Sequence, residues 1–283
     1  MKKFVLIALA VVCLGVTACE NKQSSDTVVS TQPVYDQVVK TSTLRCGYAS
    51  WPPLFSIDAN TKKMSGIFYD VAEEMGKRLN LKIEWTEETG WGTATESLQN
   101  KRFDAVCSGF WVNSTRAQKA DFSAPITYSV SNVWVRSNAH YDFKSLADVN
   151  NENFSFGAID GSADMKIVQG RFPKTKRYSM PELVSLGEVL QGLSSGKFDA
   201  VAWDDATVSD YLKTNPGSLK KLFPEEPVAI YPTVMLLPMG ETKLKAMIDN
   251  TIREIQYDGT LETIIEKNHA TGLLKLPAKP YQE

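Results

Sequence analysis

Three kinds of side chain in this sequence suit joint chemistry, and each follows a short apolar run. Arg116 stands in "NSTRAQKADFS", residues 113–123, just after "FDAVCSGFW". Its planar guanidinium presents paired N–H donors that match a carboxylate. Asp204 and Asp205 follow "FDAVAW", where a carboxylate favours a cationic group, most simply an ammonium. "FSFGAIDGSADMKIV", residues 154–168, reads as a strand, an Asp-Gly turn and a helix that starts near Ser162. Free N–H groups at such a terminus suit an anion. Trp51, Trp91, Trp111 and Trp203 fall in loops or at strand ends, where indoles can sandwich an apolar side chain or face a cation.

Each feature also has a plainer reading. Arg116 could lie on the surface or pair with a structural acid such as Asp121. "DDATVSDYL" can begin a helix, so the two acids suit its first turn. One can cap while the other faces a ligand, and Asp204, nearer the strand end, is assigned to the ligand. Any single tryptophan is more often packing than recognition.

The elements that would position these residues come in two similar sets. "LRCGYAS" reads as a strand running into the loop "WPPLF". "GIFYDVAEEMGKRLNL" follows, with Ile67, Val71, Met75 and Leu79 at helical spacing. "SLQNKRFDAVCSGFW" is then echoed by "GLSSGKFDAVAWDD": helix, basic residue, Phe-Asp-Ala-Val strand. Helices alternating with short strands predict parallel sheets, and the echo predicts two α/β lobes. Ligands of open α/β sheets bind beyond the carboxyl ends of the strands. A cleft between the lobes would therefore bring Arg116 and Asp204 face to face.

The first residues follow another logic. Lys2 and Lys3 precede an apolar run that ends in "VTAC", which reads as a secretory signal too short to span a bilayer. "VTAC" looks like a bacterial lipobox, with Cys19 as the lipid attachment residue. The polar stretch "ENKQSSDTVVSTQPVYDQVVK" then reads as a flexible linker. Cys46 and Cys107 lie on predicted strands and are either disulfide-bonded, as export permits, or buried thiols. A net charge of −2 without a basic stripe argues against nucleic acid as a partner. Two histidines far apart, His140 and His269, make a His-rich metal site or a Ser-His-Asp triad improbable. No cofactor is implied.

From about Leu44 to His269 the chain resembles the type 2 periplasmic solute-binding proteins of ABC importers, in their polar amino-acid-binding group. "GIFYDVAEEMGKRL", "SLQNKRFDAVCSG", "KFDAVAWDD" and "QYDGTLETIIEKN" fit, and "NSTRAQKADFSAPI" is the most specific match. The resemblance implies a periplasmic-binding-protein-like II fold: two Rossmann-like lobes joined by a two-strand hinge, with the ligand cleft between them. Expected limits are a signal over 1–19, a linker over 20–40, lobe 1 over 41–134, lobe 2 over 135–229, and a return to lobe 1 with the tail over 230–283. The hinge crossings fall near residues 133–136 and 230–233.

The same resemblance implies roles. Arg116 would grip a ligand α-carboxylate, helped by N–H groups near Trp111 and Ala163 beside Ser162. Asp204 would pair with the α-ammonium, helped by the carbonyl near Gly109, and Trp51 and Trp91 would flank the ligand. Asn113, Trp111 and Ala163 replace the hydroxyl residues usual at their positions, so the site exchanges hydroxyl donors for aromatic bulk. The implied protein is lipid-anchored in the periplasm or on the outer face of the cytoplasmic membrane. It would pass an amino acid or small carboxylate to an ABC importer permease and catalyse nothing. A dehydratase-like enzyme or a ligand sensor for a separate receptor are the alternatives.

Overall fold

The computed structural model describes residues 32–278; Cys19, the signal and most of the expected linker lie outside them. The linker expectation fails at its C-terminal end, because Val34–Thr41 is a helix with Val38 buried. Pro33 offers this helix no side-chain cap. The Glu241 carboxylate accepts the N–H groups of Val34 at 2.7 Å and Tyr35 at 3.3 Å instead. A carboxylate at a helix N-terminus satisfies orphan donors and complements the helix dipole.

One sheet runs through the described chain, and the expected α/β fold with two lobes is found in it. Its strands follow the order Lys82–Glu88, Thr43–Tyr48, Ala105–Trp111, Ala229–Pro238, Thr127–Arg136, Ala200–Asp204, Ser155–Ile159 and Lys176–Met180. The outer strands of each half pair in parallel. The strands at the seam pair antiparallel, with Thr127–Arg136 and Ala229–Pro238 side by side. Both seam strands are ten residues long, so each reaches into two neighbourhoods. Thr127–Arg136 pairs with Ala229–Pro238 from Thr127 to Ser131, and from Ser131 to Val135 it pairs with Ala200–Asp204. The strand exchanges partners at Ser131.

The echoed Phe-Asp-Ala-Val segments do the same structural work in each half. Asp104 accepts the N–H of Arg45 at 3.0 Å, and Asp199 accepts the N–H of Ser155 at 2.9 Å. Each aspartate thus ties its strand to the start of the neighbouring parallel strand. The preceding phenylalanines are buried against glycines of that same neighbour. A Cβ on Gly47 would stand 2.5 Å from the Phe103 ring, and one on Gly157 would stand 2.3 Å from the Phe198 ring. The motif is therefore Phe-Asp immediately before one strand, facing Gly on the next.

Cys46 and Cys107 form a disulfide between adjacent strands, with Cα atoms 5.4 Å apart. It resolves the alternative that the sequence left open. Linking positions 61 residues apart restricts the unfolded chain, which stabilises the fold by about 2–4 kcal/mol.

Two predictions follow from this architecture. Gly47→Ala and Gly157→Ala should each destabilise by about 1–3 kcal/mol in urea titrations, as overpacking does. An unchanged midpoint would show that the phenylalanines are not seated on these glycines. Reduction of Cys46–Cys107 should lower the urea midpoint in the same assay, and the Cys46→Ser, Cys107→Ser double variant should match the reduced protein.

Candidate functional site

Arg116 lies in the short helix Ser114–Ala117, immediately beyond the strand Ala105–Trp111. Asn113 caps that helix by accepting the N–H of Arg116 at 2.8 Å, which turns the side chain inward. The arginine is 6 % exposed, so the surface reading does not hold. Asp121 is not its partner and instead accepts the N–H of Gly240. The guanidinium donates through Nη1 to the Trp111 carbonyl and through Nη2 to the Trp91 carbonyl, each at 2.7 Å, and lies 4.8 Å from the Phe110 ring centroid. Burial lowers its pKa to about 10, against the support of Asp164 and Glu182, so it remains cationic at neutral pH. A guanidinium has five N–H donors. Two carbonyl bonds leave the others for a ligand.

The sequence reading divides capping and ligand facing between two acids, but Asp204 both caps its helix and lines the cavity. Asp204 caps the helix Asp205–Thr214, with Oδ1 accepting the N–H of Thr207 at 2.9 Å. Its Oδ2 accepts the Thr207 hydroxyl at 2.9 Å and the Trp51 indole N–H at 3.2 Å. Burial raises its pKa, while the Thr207 and Trp51 donors oppose the rise. Asp205 turns away, to Asn132 at 2.7 Å and Lys221 at 2.7 Å. The Trp51–Asp204 bond joins the two halves of the sheet.

These groups line one cavity of about 30 Å³. Trp51, Trp91, Trp111 and Arg116 contribute to it from one half, and Ser162, Ala163 and Asp204 from the other. Ser162 caps the helix Ala163–Arg171 by accepting the N–H of Met165, as the expected helix start requires. Gly109 is not part of the wall: the Phe68 ring and Thr233 stand within 2.5 Å of where its Cβ would be. The tryptophans pack on one another, with the Trp51 ring 5.7 Å from Trp91 and 5.6 Å from Trp111, both edge to face. Trp203 also lines the cavity. The indole N–H groups of Trp111 and Trp203 are buried without an acceptor, and such donors are costly unless something accepts them.

Several wall residues escaped the sequence reading as ligand groups: Ile159, Asp164, Leu186 and Thr207. Asp164 is the most consequential. Burial and the neighbouring Asp204 charge push its carboxyl up to about 8, against the Ala163–Arg171 helix amide, Arg116 and the Ser162 hydroxyl. The sequence offers Asp164 only as a candidate cleft acid of the enzyme alternative, beside Asp204 and Asp205, and not as a ligand group.

A second contact between the halves lies outside the cavity. The Glu182 carboxylate accepts the N–H of Gly92 at 3.3 Å and the N–H and hydroxyl of Thr93 at 3.2 and 3.0 Å. Beside it, a Cβ on Gly161 would come 2.4 Å from the Gly92 Cα. Gly161 also has φ +70°, which disfavours other residues. Two glycines thus let the backbones touch.

The Asp164 carboxyl links stability to pH. In the unfolded chain it titrates near 4, and in the folded protein near 8. The folded state holds a proton that the unfolded state releases between those values, so stability falls as pH rises from about 4 to about 8. Asp164→Asn removes this penalty. Its melting temperature by calorimetry should exceed that of the wild type at pH 8.5, and the gap should close near pH 4. A gap independent of pH would place the Asp164 carboxyl outside the linkage.

Known proteins share this architecture. An ancestral arginine-binding protein bound to arginine is 27 % identical, with a TM-score of 0.68 over 80 % of this chain and 97 % of that one. An ancestral amino acid-binding protein, a precursor of cyclohexadienyl dehydratase, is 26 % identical, with a TM-score of 0.71 over 82 % and 97 %. Among sequence relatives, the L-cystine-binding protein TcyA of Bacillus subtilis (strain 168) is 28 % identical, covering 94 % of this chain and 97 % of its own. The ABC transporter arginine-binding protein 1 of Escherichia coli (strain K12) is 26 % identical over 77 % and 87 %. The model of one family matches residues 44–271. The chain therefore belongs to the bacterial extracellular solute-binding proteins, family 3, and is a binding protein of the type 2 polar amino-acid group, not an enzyme.

Proposed function

We propose that this protein captures an α-amino acid between its lobes, at the membrane surface to which a diacylated Cys19 holds it, and delivers it to the permease of an ABC importer. One observation carries the reading of the site. A buried guanidinium from one half and a buried carboxylate from the other line the same cavity. Opposite charges on opposing walls match the two ends of a zwitterion. Arg116 takes the α-carboxylate, with the orphan indole N–H groups of Trp111 and Trp203 as further donors near the same space. Asp204 takes the α-ammonium. The named relatives that bind arginine or L-cystine support an amino acid as the cargo class, and "VTAC" before residue 20 supports the anchor.

The cavity constrains how the ligand enters. About 30 Å³ is room for about two water molecules. Separation of the halves, or release of Asp204 by Trp51, would widen the space for a headgroup. An ammonium arriving at Asp204 replaces the Trp51 indole N–H as its charged donor. Rotation about the paired seam strands, with contacts completed on both walls, is the hinge motion this arrangement favours.

Titration calorimetry with a panel of L-amino acids tests the site. Removing one partner of a buried charged contact costs about 2–5 kcal/mol, so Arg116→Ala should weaken binding of the preferred amino acid by at least thirtyfold, given that about 1.4 kcal/mol is tenfold. Affinity equal to that of the wild type would refute the assignment. For the anchor, Cys19→Ser should move the protein from the membrane fraction to the soluble fraction of the expressing bacterium; retention on membranes would refute lipidation.

A further inference from the structure

The cavity walls hold two acids and one base, of which Asp204 and Arg116 are buried and Asp164 is half-buried. Arg116 is the base, and Asp164 and Asp204 are the acids. Nearby charges do not correct the imbalance. Asp205 is paired with Lys221. Glu182 faces Arg116 from outside the wall and is engaged by Gly92 and Thr93. The remaining groups on the wall are indoles, hydroxyls and aliphatic chains. Asp164 feels the charges of both Asp204 and Arg116, so it lies among the groups that would hold the headgroup.

Under the amino-acid reading, on which this inference rests, a bound zwitterion neutralises Arg116 and Asp204 and leaves Asp164 over. An uncompensated buried carboxylate is costly. It must keep a proton or meet a second cation. Four indoles surround the same space, and indole faces attract a desolvated cation. A ligand cation there gains both the carboxylate and the rings, whereas a neutral side chain gains neither charge term.

We infer that Asp164 selects the cargo: the site takes an α-amino acid with a cationic side chain, and that cation replaces the proton on Asp164. The exchange balances. The carboxyl O–H bond breaks, its proton leaves to solvent, and the carboxylate pairs with the incoming cation. The folded protein holds this proton at pH 6.5, since burial and Asp204 keep the carboxyl at about 8.

Calorimetry of the full-length protein at pH 6.5, in buffers of different ionisation enthalpy, tests this. L-lysine and L-arginine should bind at least tenfold tighter than L-leucine and L-glutamine, with release approaching one proton per ligand. The wild-type proton count needs no variant and does not depend on how a variant folds. In Asp164→Asn the release should vanish and the preference for basic amino acids should fall at least tenfold. Binding of L-leucine or L-glutamine as tight as that of L-lysine, or basic ligands binding without proton release, would overturn the inference while leaving the amino-acid site intact. Binding unaffected by Arg116→Ala, or no binding of any of the four, would overturn the underlying reading as well.

Discussion

Charge held away from water organises this protein. A guanidinium and two carboxyls sit among tryptophans where the two halves of one sheet meet. Isolated buried charges are expensive, so each must be held by specific partners. Arg116 is held by two backbone carbonyls and an aromatic face. Asp204 is held by a helix terminus, a hydroxyl and an indole. Those partners come from both halves, so the electrostatics of the site and the contact of the lobes are one problem.

The scaffold solves that problem with rigid pieces. In each half an aspartate and a phenylalanine lock a strand to its neighbour, and the neighbour supplies a glycine where the ring must lie. The disulfide adds a covalent tie between Thr43–Tyr48 and Ala105–Trp111, the strand that leads directly into Trp111 and Arg116. The two seam strands join the halves, and the pairing of Thr127–Arg136 changes partner at Ser131.

Aromatic bulk has a double role in this arrangement. Trp51, Trp91 and Trp111 pack edge to face where the halves meet, and apolar surroundings strengthen charged contacts. The same packing leaves only about 30 Å³ of cavity. Trp51 meanwhile offers Asp204 a neutral donor across the seam.

Much of this was legible in the chain. The echo of Phe-Asp-Ala-Val announced paired α/β units because each unit needs the same local seat, and local seats leave local patterns. Arg116 and Asp204 could be chosen because ligands gather beyond strand ends, and strand ends can be read from apolar runs. Other features rest on partners remote in sequence. Glu241 caps the helix at Val34, Glu182 reaches Gly92 and Thr93, and Trp51 meets Asp204. Nothing near any of these residues announces its partner. Asp164 shows the limit most clearly: in sequence it is one of three candidate cleft acids, with Asp204 and Asp205, and nothing nearby singles it out. Only the folded chain, which encloses it beside Asp204 and opposite Arg116, gives it a raised pKa, because burial and proximity of charge are properties of the assembled cavity and not of any segment.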